Sequence, residues 1–162
     1  MSVLAANIRR ASFDDIDNLV KVRFDYFAAE KGEVSPEQRR IIEKNLREYF
    51  SKYLNTDFYA VFAEVENQIA SVAFLAISNK PANLSFPTGR TGTVLNVLTY
   101  PEYRNKGYAA STMNVLLDEA KKQGLSYVEL SASESGKSLY QKLGFEESKP
   151  KAHFTAMKLS FN

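Results

Sequence analysis

Apolar residues recur along this chain with two periods, one helical and one alternating, and the switches between them mark out its elements. Residues 3–9 read as a short first strand. Ser12 then stands as a helix N-cap with Asp15 at the capping-box position, and Ile16, Leu19, Val20, Phe24 and Phe27 form one apolar face to about residue 30. The run Lys31-Gly32-Glu33-Val34 breaks that pattern. Ser35-Pro36-Glu37-Gln38 opens a second helix with a cap, a first-turn proline and a capping glutamine. Ile42, Leu46, Tyr49, Phe50 and Tyr53 carry it to about Leu54. Most aromatic residues of these two helices read as core. Residues 58–65 and 69–77 are strand-like and joined by Glu66-Asn67-Gln68, which predicts a hairpin. Residues 78–92 show no periodicity and read as a long loop.

The next stretch organises the chain. Val94-Leu95-Asn96-Val97-Leu98-Thr99-Tyr100 is an apolar, β-rich run ended by Pro101, which cannot donate to a ladder. Arg104-Asn105-Lys106-Gly107-Tyr108-Ala109 follows, and then Met113, Leu116, Leu117 and Ala120 fall on one helical face. The pattern predicts strand, tight basic turn, helix. A helix's first turn presents N–H groups without internal partners at the positive end of its dipole, which suits a phosphate. Gly107 puts no side chain in the way, and Arg104 and Lys106 attract an anion. Two readings fit: a pyrophosphate cradle, or an ordinary junction with a charged loop. Beyond Gly124, a natural helix stop, residues 127–132 read as a short strand. A short helix bearing Leu139, Tyr140 and Leu143 follows Ser133-Glu134-Ser135-Gly136. Phe145 and Glu146 begin a further strand, and 154–161 alternate as a last one.

Length and composition narrow the function classes. The 162 residues suit one domain, 1–162, with a substantial core. A net charge of +2 is too balanced for nucleic acid or an acidic membrane surface, so neither is expected as a partner. No apolar run approaches membrane-spanning length, and the first ten residues are too polar for a signal peptide. The lack of cysteine removes disulfides, thiolate metal sites and a cysteine acyl-enzyme, and it fits a cytoplasmic protein. His153 is the only histidine and has no clustered carboxylates in sequence, so no metal is expected. No G-x-S-x-G supports a serine hydrolase.

Arg104-x-x-Gly107-x-Ala109 resembles the R/Q-x-x-G-x-G/A signature of the GNAT superfamily of acetyl-CoA-dependent N-acetyltransferases. Tyr100-Pro101-Glu102-Tyr103-Arg104 resembles that family's lead-in, and Leu139-Tyr140-Gln141-Lys142-Leu143-Gly144-Phe145 its "LYeklGF" close. The element order, β-αα-ββ-β-α-β-α-ββ, is similar to the family's. The resemblance implies an α/β (α+β) fold with a mixed, mostly antiparallel sheet of about six to seven strands and about four helices. In it the fourth and fifth strands run parallel and splay apart, and the cofactor's pantetheine arm fills the gap. It implies acetyl-CoA as cosubstrate and transfer to a primary amine of a small molecule or peptide. Homodimers are common in that superfamily.

Carried onto this chain, the resemblance places the pyrophosphate on Arg104, Asn105, Lys106, Gly107, Tyr108 and Ala109. It places the pantetheine and acetyl carbonyl on backbone groups of Val97, Leu98 and Thr99. Ser133 stands where many relatives have an asparagine that bonds the pantetheine arm. Tyr140 is the implied general acid; a phenol, with an ordinary pKa of about 10, is protonated at neutral pH and can donate to the leaving sulfur. No general base is evident. Many relatives have a glutamate near Asn96, which cannot accept a proton; Glu129 on the next strand has two readings, a substitute base acting through water or an exposed strand residue, and the second is favoured. That gap sustains an alternative, a non-catalytic acyl-CoA-binding module. The loop 78–92, with Asn79, Lys80, Asn83, Phe86 and Arg90, is expected to border the acceptor cleft, with Arg90 offering a fork for a carboxylate or phosphate.

Overall fold

The computed structural model describes residues 5–162. It divides into two compact units, 1–131 and 132–162. In the first unit a five-stranded sheet has the order β1-β2-β3-β4-β5, formed by Asn7–Arg10, Phe58–Val65, Gln68–Asn79, Arg90–Thr99 and Val128–Glu129. The first four strands pair antiparallel and β5 pairs parallel with β4. The expected first strand falls in part on residues 1–4, which lie outside the described residues.

Helices α1 (Ile16–Lys31) and α2 (Pro36–Tyr53) cover one sheet face. Leu19, Val22, Phe24 and Phe50 pack there on Phe58, Phe62, Val72, Phe74 and Leu98. These are alternate residues of β2, β3 and β4, as the two-residue strand period requires. Helix α3 (Tyr108–Lys122) lies on the other face, where Tyr108 packs with Ala63, Val65 and Ala70. The sheet is therefore buried on both faces, which is why β2 reads as a continuous apolar run with seven of its eight residues buried. The predicted caps form: Gln38 N–H donates to Ser35 Oγ at 3.2 Å, and Ser12 N–H donates to Asp15 Oδ2 at 2.8 Å.

Asp15 does more than cap. The Arg9 guanidinium donates to both its oxygens, at 2.7 and 2.8 Å, and also pairs with Glu64. This joins β1, β2 and the start of α1. The Arg9 bonds, helped by Ser12 and Asn18, hold the Asp15 carboxyl well below its usual 3.8 although burial opposes them. A depressed folded-state value means the stabilisation is fully present above the ordinary carboxylate range and is lost as pH falls through the folded value. Replacing Asp15 by asparagine is expected to cost about 2–3 kcal/mol near neutrality, because it leaves Arg9 half-paired and weakens the cap. In urea melts the difference from wild type should shrink in acid; a difference independent of pH contradicts this account.

Four sequence expectations need correction. The sheet has five strands rather than six to seven, because 154–161 form no ladder among the described residues. Phe154, Met157, Leu159 and Phe161 are exposed there, and Phe145 and Glu146 are not in a strand either. Alternation says which face a strand would bury; it does not supply the neighbouring edge that makes one. The loop 78–92 is shorter than expected, since β3 runs to Asn79 and β4 starts at Arg90. Arg90 donates to Asp57 at 3.1 Å, to Asn79 at 3.2 Å and to the Gln123 carbonyl at 2.8 Å, so its fork ties strands and helix rather than facing a ligand. The fifth strand spans only Val128–Glu129 of the expected 127–132.

Candidate active site

The site is built where β4 leaves regular pairing. Phe74 faces Leu95 and Val72 faces Leu98, so Asn96 and Val97 together oppose one residue of β3. This is a β-bulge, with Asn96 at φ 56° in the left-handed region that asparagine tolerates better than most residues. On the outer edge, pairing with β5 ends at Thr93 and Glu129. From Val94 to Thr99, β4 therefore has no strand on that outer side among the described residues. The end of the parallel pairing leaves backbone N–H and C=O groups on this side of β4 without a ladder partner among the described residues.

Helix α1 is fastened to this irregular segment at two places. Asn96, 2% exposed, donates through Nδ2 to the Val22 carbonyl at 3.3 Å, and its Oδ1 accepts from Arg23 at 3.4 Å. Tyr100 donates to Asp25 Oδ2, which Lys21 also reaches at 2.7 Å. Burial and then the Asp25 bond push the Tyr100 hydroxyl well above its usual range, so it stays protonated. Burial would raise the Asp25 carboxyl, but the bonds from Lys21 and Tyr100 outweigh it and leave it lowered. Neither Asn96 nor Asp25 is thus placed as a ready proton acceptor. Replacing Asn96 by alanine removes both side-chain bonds and leaves a Cβ residue at positive φ; a loss of about 1–3 kcal/mol is expected in denaturant melts. An unchanged midpoint would show that the bulge needs no such lock.

Beyond Thr99 the chain makes a short turn at Pro101–Tyr103 and enters α3. Gly107 is the N-cap, at φ 82° and ψ 7°. A Cβ built there meets no atom within 4 Å, so the space over Gly107 is open. No side chain caps this end, and no acidic residue sits in the first turn, while Lys121 and Lys122 occupy the last. The first helical bond runs from Ser111 N–H to the Gly107 carbonyl, so Ala109 and Ala110 keep N–H groups without a bonding partner among the described residues. The positive pole of the helix is uncompensated at an open glycine, which is what an anionic group needs. Arg104 and Lys106 are exposed and anchored, Arg104 on the Thr99 carbonyl and Lys106 on the Glu102 carbonyl, each at 3.2 Å. Asn105 turns the loop at φ 61°.

The sequence-identified residues thus fall into two groups. Val97, Leu98, Thr99 and the run 104–109 are consecutive parts of one strand–turn–helix in the first unit. The Leu98 side chain is core and the Thr99 hydroxyl bonds Ser71 at 2.9 Å, so what these residues have to offer is backbone, with the Thr99 carbonyl already accepting from Arg104. Ser133 and Tyr140 belong to the second unit. There α4 spans Lys137–Lys142, and the Tyr140 ring meets Phe145 edge-on at 6.0 Å. The Ser133 hydroxyl accepts from Gly136 N–H at 3.2 Å, just before α4. Glu129 is exposed and opposite Thr93. A separate hollow of about 410 Å³, lined by Arg9, Lys21, Glu64, Gln68, Tyr100 and Tyr103 among others, includes none of the residues from Arg104 to Ala109. The bulge and the Arg23–Asn96 contact were missed in sequence; the only signal for the bulge was an asparagine inside an apolar strand.

The fold that carries this site recurs in known proteins. The acetyltransferase (GNAT) family matches residues 19–145. Among solved structures, a predicted acetyltransferase with acetyl-CoA from Clostridium acetobutylicum is 30% identical, with 94% of this chain and 96% of that one covered and a TM-score of 0.80. A GCN5-related N-acetyltransferase from Ralstonia eutropha is 21% identical over 91% of this chain and 99% of that one, TM-score 0.73. Glucosamine-6-phosphate N-acetyltransferase from Arabidopsis thaliana is 21% identical over 98% and 99%, TM-score 0.67. At that identity the last two speak for the fold alone. Among curated proteins none matches this chain. With the family matched over most of its length, the chain belongs to the GNAT acetyltransferases.

Proposed function

We propose that this protein transfers the acetyl group of acetyl-CoA directly to a primary amine of a small molecule or peptide. The observation that carries the reading is the open, left-handed Gly107 at the start of α3, directly after a β4 edge with no neighbour. The N–H groups of Ala109 and Ala110, with Arg104 and Lys106, suit a pyrophosphate. The edge 94–99 suits an extended amide chain, with the backbone of Val97, Leu98 and Thr99 beside the pantetheine and the acetyl carbonyl. The amine nitrogen forms a bond to the thioester carbonyl carbon, and the C–S bond breaks. Tyr140 gives its proton to the leaving thiolate, and the attacking nitrogen loses one to water. No cysteine is present to carry the acetyl group, so transfer needs no covalent enzyme intermediate. The cysteine-free composition suits the cytoplasm, and among the described residues no helix is long and apolar enough to cross a membrane.

A second reading, a non-catalytic acyl-CoA-binding module or sensor, draws on one observation: Asn96 at the bulge cannot accept a proton, and the Asp25 carboxylate bonded to Tyr100 beside it is also engaged by Lys21. Thiol release from acetyl-CoA with and without a panel of amines separates the two. Amine-dependent release supports transfer; tight binding with no release supports the module.

A further inference from the structure

Arg23 is the arginine in this fold whose surroundings do not account for it. Three arginines are partly buried among the described residues: Arg9, Arg23 and Arg90. Arg9 pairs with Asp15 and Glu64, and Arg90 pairs with Asp57. Arg23 pairs with no carboxylate among the described residues. Its one hydrogen bond among the described residues is from Nη1 to the Asn96 amide oxygen, at a long 3.4 Å. Its guanidinium lies over the Phe27 ring, with Cζ 4.7 Å from the centroid. Burial acts against its charged form, and of its neighbours only the Tyr26 phenol works the other way, without outweighing it. A guanidinium has five donors and cannot lose its charge in a protein. Holding one partly out of water without a carboxylate beside it costs free energy that an anionic partner would offset.

The position of Arg23 says what that partner would meet. Asn96 stands at the β4 bulge, beside the unpaired edge. Leu95, next to it, is 37% exposed although its register partner Phe74 is core. A cation stacked on an aromatic ring therefore stands at the bulge of the strand that, on the acetyltransferase reading, presents the acetyl group. We propose that Arg23 binds an anionic group, a carboxylate or a phosphate, on the acceptor, so that the substrate is an amine that also carries a negative charge. The inference rests on that reading for the position of the reacting carbonyl. The planar fork suits either anion bidentately, and the stacking on Phe27 fixes its plane.

The test uses the full chain saturated with CoA, and calorimetry rather than turnover. One arm compares L-amino acids with their neutral C-terminal amides. The other compares O-phosphoethanolamine and amino-sugar phosphates with their dephosphorylated counterparts. In at least one arm an anionic amine should bind about ten- to a hundredfold tighter than its neutral twin, as a charged hydrogen bond is worth that much. Arg23→Gln should bring the pair to near equality with the neutral twin unchanged. Arg23→Lys, which keeps charge but not the fork, should fall between. The melting temperature of Arg23→Gln should stay at or above wild type, since an unpaired buried charge is removed; should it fall, the Lys variant carries the comparison. No preference for the anion in either arm, or a preference that survives Arg23→Gln, overturns the proposal. Efficient acetylation of neutral amines would sink it while leaving the acetyltransferase reading intact, whereas failure to bind CoA at all counts against that reading.

Discussion

Replacing Gly107 by valine is expected to abolish measurable CoA binding while leaving the domain folded. A Cβ at Gly107 touches nothing in the chain, so the space it fills is the space open to a pyrophosphate. The backbone complicates the test, since a β-branched residue at φ 82° is strained. That strain costs about 1–3 kcal/mol, tolerable for a domain of this size but enough to move the turn. Gly124→Val is the matched control. Gly124 stands past the other end of α3 at φ 68°, also with nothing within 4 Å of its added Cβ. It imposes comparable strain on the same helix away from the cradle and should keep wild-type CoA affinity. Equal losses in both variants would attribute the effect to helix strain. Arg104→Ala should weaken binding less, because backbone donors carry most of the contact.

The second large effect is expected at Tyr140. Tyr140→Phe should lower turnover about a hundredfold to ten-thousandfold, the usual worth of a general acid, with CoA affinity nearly unchanged. The edge-on contact with Phe145, at 6.0 Å, involves only the ring and survives the substitution. Rates must be taken where chemistry limits them. A Phe variant with wild-type turnover removes the hydroxyl from the mechanism, and one that loses melting temperature without a change in rate assigns Tyr140 to packing.

What could be read in sequence was local. Ser12 with Asp15 and Ser35 with Gln38 announce helix starts because capping is settled within four residues. The hairpin from Phe58 to Asn79 and the run from Arg104 through α3 were legible for the same reason. The features that shape the acceptor side are not local. Asn96 meets Arg23 across 73 positions, and Arg90 meets Asp57 across 33. No periodicity encodes such a pair, so Arg90 looked available when it was engaged, and Arg23 drew no notice. Residues 154–161 mislead in the opposite sense: their alternation is real, but their pattern alone cannot provide a partner edge. The bulge escapes because one inserted residue leaves a strand's composition unchanged.

The central claim is acetyl transfer to an amine, and it is tested most directly by following one reaction with two readouts. Purified protein is incubated with acetyl-CoA and an amine panel that includes both anionic and neutral members; free thiol and acetylated amine are measured together. The account predicts thiol release that depends on the amine and matches the N-acetyl product mole for mole. Binding of acetyl-CoA with thiol release no faster than in the amine-free control, across the whole panel, would contradict it.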